Sequence, residues 1–257
     1  MALSDYQQIE YIQGVSGAYI DTGIKPTRYY SIGGIYMVGI TESAPYFFGV
    51  YDGTRHFSFY FSKSNSDFRW RFAQNTAQSL SPNYVLPYVE QKVKLGFTCS
   101  RSASKTTAYI SLLDDTSYSS AQRNTPTQAQ TATKNLFLMA RNNNGSAGGY
   151  AVGSRLYSLS IHNEVSSSQS DLIAEYIPIR EKTGSSPKVG LYDTVSDAPL
   201  WSGTNFVAGP DIVATTNTVR VNVNGTWVEG VPYVNVNGTW CEGKTYVNVN
   251  GTWMEGK

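Results

Sequence analysis

The sequence predicts an all-β chain, a β-sandwich over residues 1–212 followed by a small region of β-hairpin repeats over 213–257. Three observations carry this. Apolar and aromatic residues alternate with polar ones in short runs. Gly, Pro, Asn, Asp or Ser clusters separate those runs. No segment holds a convincing 3.6-residue apolar period, so nothing reads as an amphipathic helix.

In chain order the candidate strands are YQQIEYIQ (6–13), AYIDTGI (18–24), YSIGGIYMVGI (30–40), YFFGVYD (46–52), HFSFYFS (56–62), FRWRFA (68–73), QKVKLGFTC (91–99) and TTAYISLL (106–113). NLFLMAR (135–141), RLYSLSI (155–161), LIAEYIPI (172–179), VGLYD (189–193), LWSG (200–203) and FVAG (206–209) follow. The nearest approach to a helix is SSSQSDLIAEYIPIRE. Pro178 interrupts it, and Leu172, Ala174 and Tyr176 fit strand alternation. SSAQRNTPTQAQTATK (119–134) is polar and reads as a long surface loop, and RNNNGSAGG (141–149) as a turn-rich loop. Gly209-Pro210 closes the first domain, and ATTNTV (214–219) links it to the repeats.

Asn224-Gly225, Asn237-Gly238 and Asn250-Gly251 recur every 13 residues. A type I′ turn needs positive φ at both central residues, so each Asn-Gly marks a hairpin. The middle copy then pairs Val236 with Thr239, Asn235 with Trp240, Val234 with Cys241 and Tyr233 with Glu242. The variable slot, Val228, Cys241 and Met254, is apolar throughout and expected to be buried. Trp227, Trp240 and Trp253, with Tyr233 and Tyr246, form an aromatic series for assembly or for binding a polymer. Repeat arrays stack before they do anything else, which favours assembly. The Asn-Gly-Thr triplets also match a glycosylation pattern, and are read here as turns.

Composition narrows the function. The chain has 257 residues, 20 basic and 19 acidic, for a net charge of +1, which gives no electrostatic reason to expect nucleic acid or an anionic membrane. Charged residues are only 15% of the chain, while Tyr numbers 19, Phe 10 and Trp 5, a palette suited to strands and contact surfaces. No apolar run approaches the ~20 residues of a membrane span. The N-terminus lacks the basic and apolar regions of a secretory signal. Cys99 and Cys241 define neither a disulfide framework nor a metal-ligand spacing.

Catalysis has no visible machinery. Asp114 and Asp115 are adjacent and would point to opposite faces of a strand. His56 and His162 stand in no nucleophile motif. Asp21, Asp52, Asp67 and Asp193 are calcium ligands by type, but no loop gathers several acidic oxygens at calcium spacing. No enzyme activity, metal or cofactor is therefore expected.

The most informative stretch of the first domain is HFSFYFSKSNSDFRWRFA. Alternation puts Phe57, Phe59, Phe61, Phe68, Trp70 and Phe72 on one face, toward a core. His56, Tyr60, Arg69 and Arg71 then share the opposite face. Polar, aromatic and basic side chains together suit a glycan; the plainer alternative is a solvent face with cross-strand pairs. A second candidate is a rim of loops with Tyr51, Asp52 and Asn143, since loops at one end of a sandwich commonly carry binding.

Two stretches add a resemblance. YQQIEYIQGVSGAYIDTGIKPT (6–27) resembles the opening of a group of bacteriophage and prophage structural proteins with a concanavalin A-like, laminin-G-like jelly roll. RLYSLSIHNEVSSSQSDLIAEYIPIREKTGSSPKVGLYDTVSDAPLWSGTNFVAGP (155–210) is similar to the closing segment of the same group. The YVNVNGTW repeats resemble tails on such proteins. The resemblance implies a virion fibre, spike or decoration subunit with a lectin-like domain for host attachment. It implies a homo-oligomer, a trimer by the usual symmetry of such fibres, held through the C-terminal repeats and joined to other virion proteins. It further implies synthesis in the bacterial cytoplasm, release on lysis and a host cell-surface glycan as ligand. With Met1 directly before the first strand, attachment falls to the repeats. The alternative is a soluble glycan-binding module outside any particle. The E-x-D-x-E strand of glucanases on this fold is absent, which again speaks against hydrolysis.

Overall fold

The computed structural model describes residues 2–39, 44–73, 77–80, 90–100, 104–113, 119–124, 131–166 and 169–212, then 219–223, 226–230, 233–236, 239–242, 246–249 and 252–255. The chain divides into two compact units, Met1–Ile212 and Val213–Lys257. Both are built from β-strands. Among the described residues the only helical turn is the short 3-10 stretch Leu3–Asp5.

The first unit holds two sheets with almost entirely antiparallel pairing. The larger, 11-stranded, has a main path in the order Ser119–Asn124, Lys105–Leu112, Lys92–Ser100, Tyr30–Met37, Arg155–Ser166, Gln169–Glu181, Val189–Asp193 and Ala198–Trp201, with Tyr6–Gln8, Ile12–Gln13 and Val207–Ala208 joined at its side. The smaller, 8-stranded, has a main path Ser146–Gly148, Arg141–Asn143, Tyr46–Tyr51, His56–Ser62, Asp67–Phe72 and Gln78–Ser79, with Phe137–Leu138 also paired to Tyr46–Tyr51 and Ile20–Asp21 paired to Phe137–Leu138. Their facing sides share one hydrophobic core, which is the arrangement of a β-sandwich. Phe97 of the larger sheet meets Phe48 and Phe72 of the smaller at ring distances of 5.5 and 5.0 Å. Tyr36 crosses the same layer, its ring 5.2 Å from Phe47 and its hydroxyl donating to the Phe47 carbonyl at 3.3 Å. Each such ring contributes about 1.5–3 kcal/mol by leaving water.

The two ends of the unit are zipped together. Ile12–Gln13 pairs with Val207–Ala208 on one side and with Arg155 and Leu156 on the other. Glu10 N–H donates to the Pro210 carbonyl, Gly209 N–H to that of Tyr11, and Ile212 N–H to that of Gln8. Gly209 is required there, because a Cβ would lie 2.9 Å from the Tyr11 ring and backbone nitrogen.

Several expectations change. The 119–134 stretch begins as a strand, Ser119–Asn124, hydrogen-bonded along Lys105–Leu112; residues 125–130 lie outside the described ones. Its side chains alternate between half-buried and exposed, so the pairing is through the backbone and leaves no apolar pattern to read. The 141–149 stretch is also paired. Arg141–Asn143 folds back on Ser146–Gly148 around Asn144 (φ 53°) and Gly145 (φ 105°), the positive-φ pair of a tight hairpin. The strand expected from the alternation of Leu172, Ala174 and Tyr176 is present, as Gln169–Glu181.

In the second unit three two-stranded pairs follow one another. Val219–Val223 pairs with Thr226–Gly230, Tyr233–Val236 with Thr239–Glu242, and Tyr246–Val249 with Thr252–Glu255. Their registers are equivalent, Asn222 opposite Trp227, Asn235 opposite Trp240 and Asn248 opposite Trp253. The Asn-Gly positions between them lie outside the described residues. Trp227, Trp240, Trp253, Tyr233 and Tyr246 are placed by backbone register alone.

Candidate functional site

The hairpin His56–Ser62/Asp67–Phe72 positions the site. Its register pairs Phe57 with Phe72, Ser58 with Arg71, Phe59 with Trp70, Tyr60 with Arg69 and Phe61 with Phe68. The Phe and Trp side chains all enter the core. The opposite face differs from an ordinary solvent face. His56 is 4% exposed, Ser58 0% and Tyr60 6%, while Arg69 and Arg71 remain half-buried.

Neighbouring strands explain that burial. A register shift in Tyr46–Tyr51 lets Phe47 and Phe48 both enter the core. Tyr46 then stacks on Tyr60 across the strands, with ring centroids 4.6 Å apart and planes 18° from parallel. Arg141–Asn143 lies parallel to the same strand, with Asn143 opposite Tyr51. The Arg141 guanidinium carbon sits 4.8 Å from the Tyr46 ring centre, and that of Arg71 sits 5.2 Å from the Tyr60 ring centre. Gly49 makes room, since a Cβ there would come within 3.1 Å of the Ser58 Cβ and 3.3 Å of both the Arg141 Cγ and the Tyr46 ring.

Two cations converge on one oxygen. The Tyr46 hydroxyl accepts from Arg71 Nη1 at 3.3 Å and from Arg141 Nη1 at 3.1 Å. Unit charges ~6 Å apart repel by roughly 1–3 kcal/mol between the dielectric of water and that of a protein surface. Among the described residues, the nearby acids Asp67 and Asp52 hold other partners. Asp67, nearly buried, holds Arg69 Nε at 2.9 and 3.1 Å and accepts from Ser79 Oγ at 2.5 Å. Asp52 accepts from Thr133 N–H at 2.8 Å, Arg55 N–H at 2.7 Å and Thr54 N–H at 3.1 Å. Burial works against the Asp52 charge, but these donors hold its carboxyl well below the usual carboxylate range.

His56 is the titratable group under the arginines. Burial first, then the positive charges of Arg71 and Arg141, push its pKa down to about 3, with Asp52 opposing weakly. It is neutral at physiological pH. Its ring lies 5.1 Å from that of Tyr51. Three buried polar atoms on this face have no hydrogen-bond partner: His56 Nε2, Ser58 Oγ and Arg141 Nε. Buried polar groups are normally paired, so such a cluster calls for an explanation.

The structure therefore brings His56, Tyr60, Arg69 and Arg71 onto one face, with Tyr51 and Asn143 at its edge. Asp52 ties the 52–55 turn to Thr133, and the Tyr51 hydroxyl donates to the Gly53 carbonyl at 2.9 Å. Ser58 lies on the same face by alternation with Phe57 and Phe59, whereas Tyr46 and Arg141, which also belong to it, are not marked by any local side-chain pattern. The only available signal was Asn144-Gly145, which marks the hairpin carrying Arg141. Among the described residues no group of three His, Cys, Asp or Glu could hold a metal. The arrangement presents the N–H groups of Arg71 and Arg141 beside two stacked tyrosines.

A separate groove of about 190 Å³ lies on the larger sheet, lined by Ile35, Lys94, Tyr109, Ser158, Ser160 and Glu175 among others. Tyr109 spans the facing glycines Gly33 and Gly96, its hydroxyl 2.1 Å from where a Gly33 Cβ would be. The tyrosine covers backbone that no side chain covers.

No protein-family model matches the chain, and no curated protein matches it in sequence. What fold and site define is a class: a two-sheet β protein with a cationic, tyrosine-lined face on its smaller sheet.

Proposed function

We propose that this chain is a virion structural protein of a bacteriophage or prophage, a fibre, spike or decoration subunit. Its concanavalin A-like, laminin-G-like jelly roll displays a surface for host attachment, and its C-terminal hairpin repeats assemble the protein or anchor it to the particle. The observation that supports this most is the Tyr46–Tyr60–Arg71–Arg141 face, a ready surface for the oxygens of a host polysaccharide. The zipped ends add support, since Ile12–Gln13 and Val207–Ala208 belong to the two stretches that carry the resemblance. No catalytic role is assigned to any residue.

Light scattering after size exclusion, on the full chain and on residues 1–212, tests the assembly half. A trimer or larger for the full chain and a monomer for the truncation is the expected result. Equal oligomeric states for both would remove the assembly role from the repeats. A monomeric full chain that still binds host cells would favour the second reading, a soluble glycan-binding module, which the same cationic face also supports. Binding of labelled protein to host cells, with and without added envelope polysaccharide, tests the attachment half.

A further inference from the structure

We infer that the face under Arg141 takes an acidic sugar, its anionic group seated between the Arg71 and Arg141 guanidiniums beside the Tyr46 hydroxyl. The inference rests on the reading of this face as a glycan-attachment surface, and adds the charge class of the ligand.

Arg141 carries the argument. Its Nε is buried and has no hydrogen-bond partner. Its Nη1 donates to the Tyr46 hydroxyl, and no carboxylate among the described residues pairs with it. A fold that brings the Arg71 and Arg141 guanidiniums to one hydroxyl places like charges side by side. An anion bridging the two converts that repulsion into attraction and supplies an acceptor for the Arg141 Nε. Asp67 and Asp52 do not serve as that anion, because their oxygens are engaged by Arg69 and Ser79 and by the 52–55 turn and Thr133. The uncharged sugar ring is left for the polar edge formed by Tyr51 and Asn143. Beneath the arginines, His56 Nε2 and Ser58 Oγ lack partners, so the floor offers polar atoms and no competing negative charge. Carboxylate and phosphate share this chemistry, and the experiment separates them.

The full chain is titrated by calorimetry with glucuronate, glucose 6-phosphate and glucose. We expect both acidic sugars, or one of them, to bind at least tenfold more tightly than glucose, with an affinity that falls as sodium chloride rises. Whichever acid binds more tightly identifies the anionic group. Arg141→Gln should lose at least tenfold in affinity for the acid and nothing for glucose, while Arg141→Lys should retain part of it. Equal binding of glucuronate, glucose 6-phosphate and glucose by the native chain overturns the inference, as does no binding of any. The native selectivity and its salt dependence decide the matter even if the Arg141 variants fold poorly. Host-cell binding is measured in parallel. Attachment without acid selectivity leaves the attachment reading standing and removes this inference. Acid selectivity without attachment does the reverse.

Discussion

The hairpin His56–Ser62/Asp67–Phe72 has two buried faces that were made differently. One packs Phe57, Phe59, Phe61, Phe68, Trp70 and Phe72 into the shared core. The other buries His56, Ser58 and Tyr60 under arginines and tyrosines, and leaves His56 Nε2 and Ser58 Oγ unpartnered. Apolar burial is non-directional and rewards any close fit, whereas polar burial rewards only a completed hydrogen bond. The first face is closed by apolar contact, with the Trp70 Nε1 left as its one unpartnered polar atom among the described residues. The second leaves several polar atoms unpartnered, and these are where the proposed sugar would act.

That contrast can be broken most sharply from the core side. Phe59→Ala should cost about 3–5 kcal/mol, read from urea unfolding, because a fully enclosed ring leaves a cavity between the sheets. A loss below 1 kcal/mol would mean that the two sheets do not share a tight core.

The polar face should show itself next, in pH dependence. His56 has a folded pKa of about 3, below its ordinary 6.5, so the unfolded chain binds the extra proton between those values. Stability is therefore full above about pH 6.5 and declines as the pH falls toward 3. From neutrality to pH 4.5 the decline from His56 is on the order of 2–3 kcal/mol. His56→Leu should flatten that segment of the pH profile. Asp52 adds a loss in the same direction, but only below its usual range near 3.8, which keeps the two apart. A profile between pH 6.5 and 4.5 with the same slope in His56→Leu would show that another group is responsible.

Gly49→Ala should be smaller, about 1–3 kcal/mol, since its Cβ would press on Ser58, Arg141 and Tyr46. It should also weaken acidic-sugar binding by displacing Arg141, an effect that calorimetry separates from stability. Smallest of all, Ser58→Ala should change stability by less than about 1 kcal/mol, because the hydroxyl it removes has no partner. A large loss there would mean that Ser58 is paired in solution.

Local alternation made much of this legible. Phe57 to Phe72 could be assigned to the core, and His56, Tyr60, Arg69 and Arg71 to one face, because neighbouring side chains in a strand point opposite ways. The middle C-terminal pair, Tyr233–Val236 with Thr239–Glu242, has the register that an Asn237-Gly238 turn dictates. Strand Ser119–Asn124 was not legible, because backbone pairing along an edge needs no apolar residue. Its polar composition looks the same in a loop.

The sequence by itself determined the all-β character, the position of most strands and the two-faced hairpin, because each of these follows from side-chain period and turn chemistry within a dozen residues. Only the tertiary structure decided which residues complete the site. The register shift that turns Tyr46 onto Tyr60, the parallel docking that brings Arg141 beside Arg71, and the pairing of Ile12–Gln13 with Val207–Ala208 all join segments distant in the chain. Such contacts depend on how two sheets close around one core, and no local pattern encodes that closure.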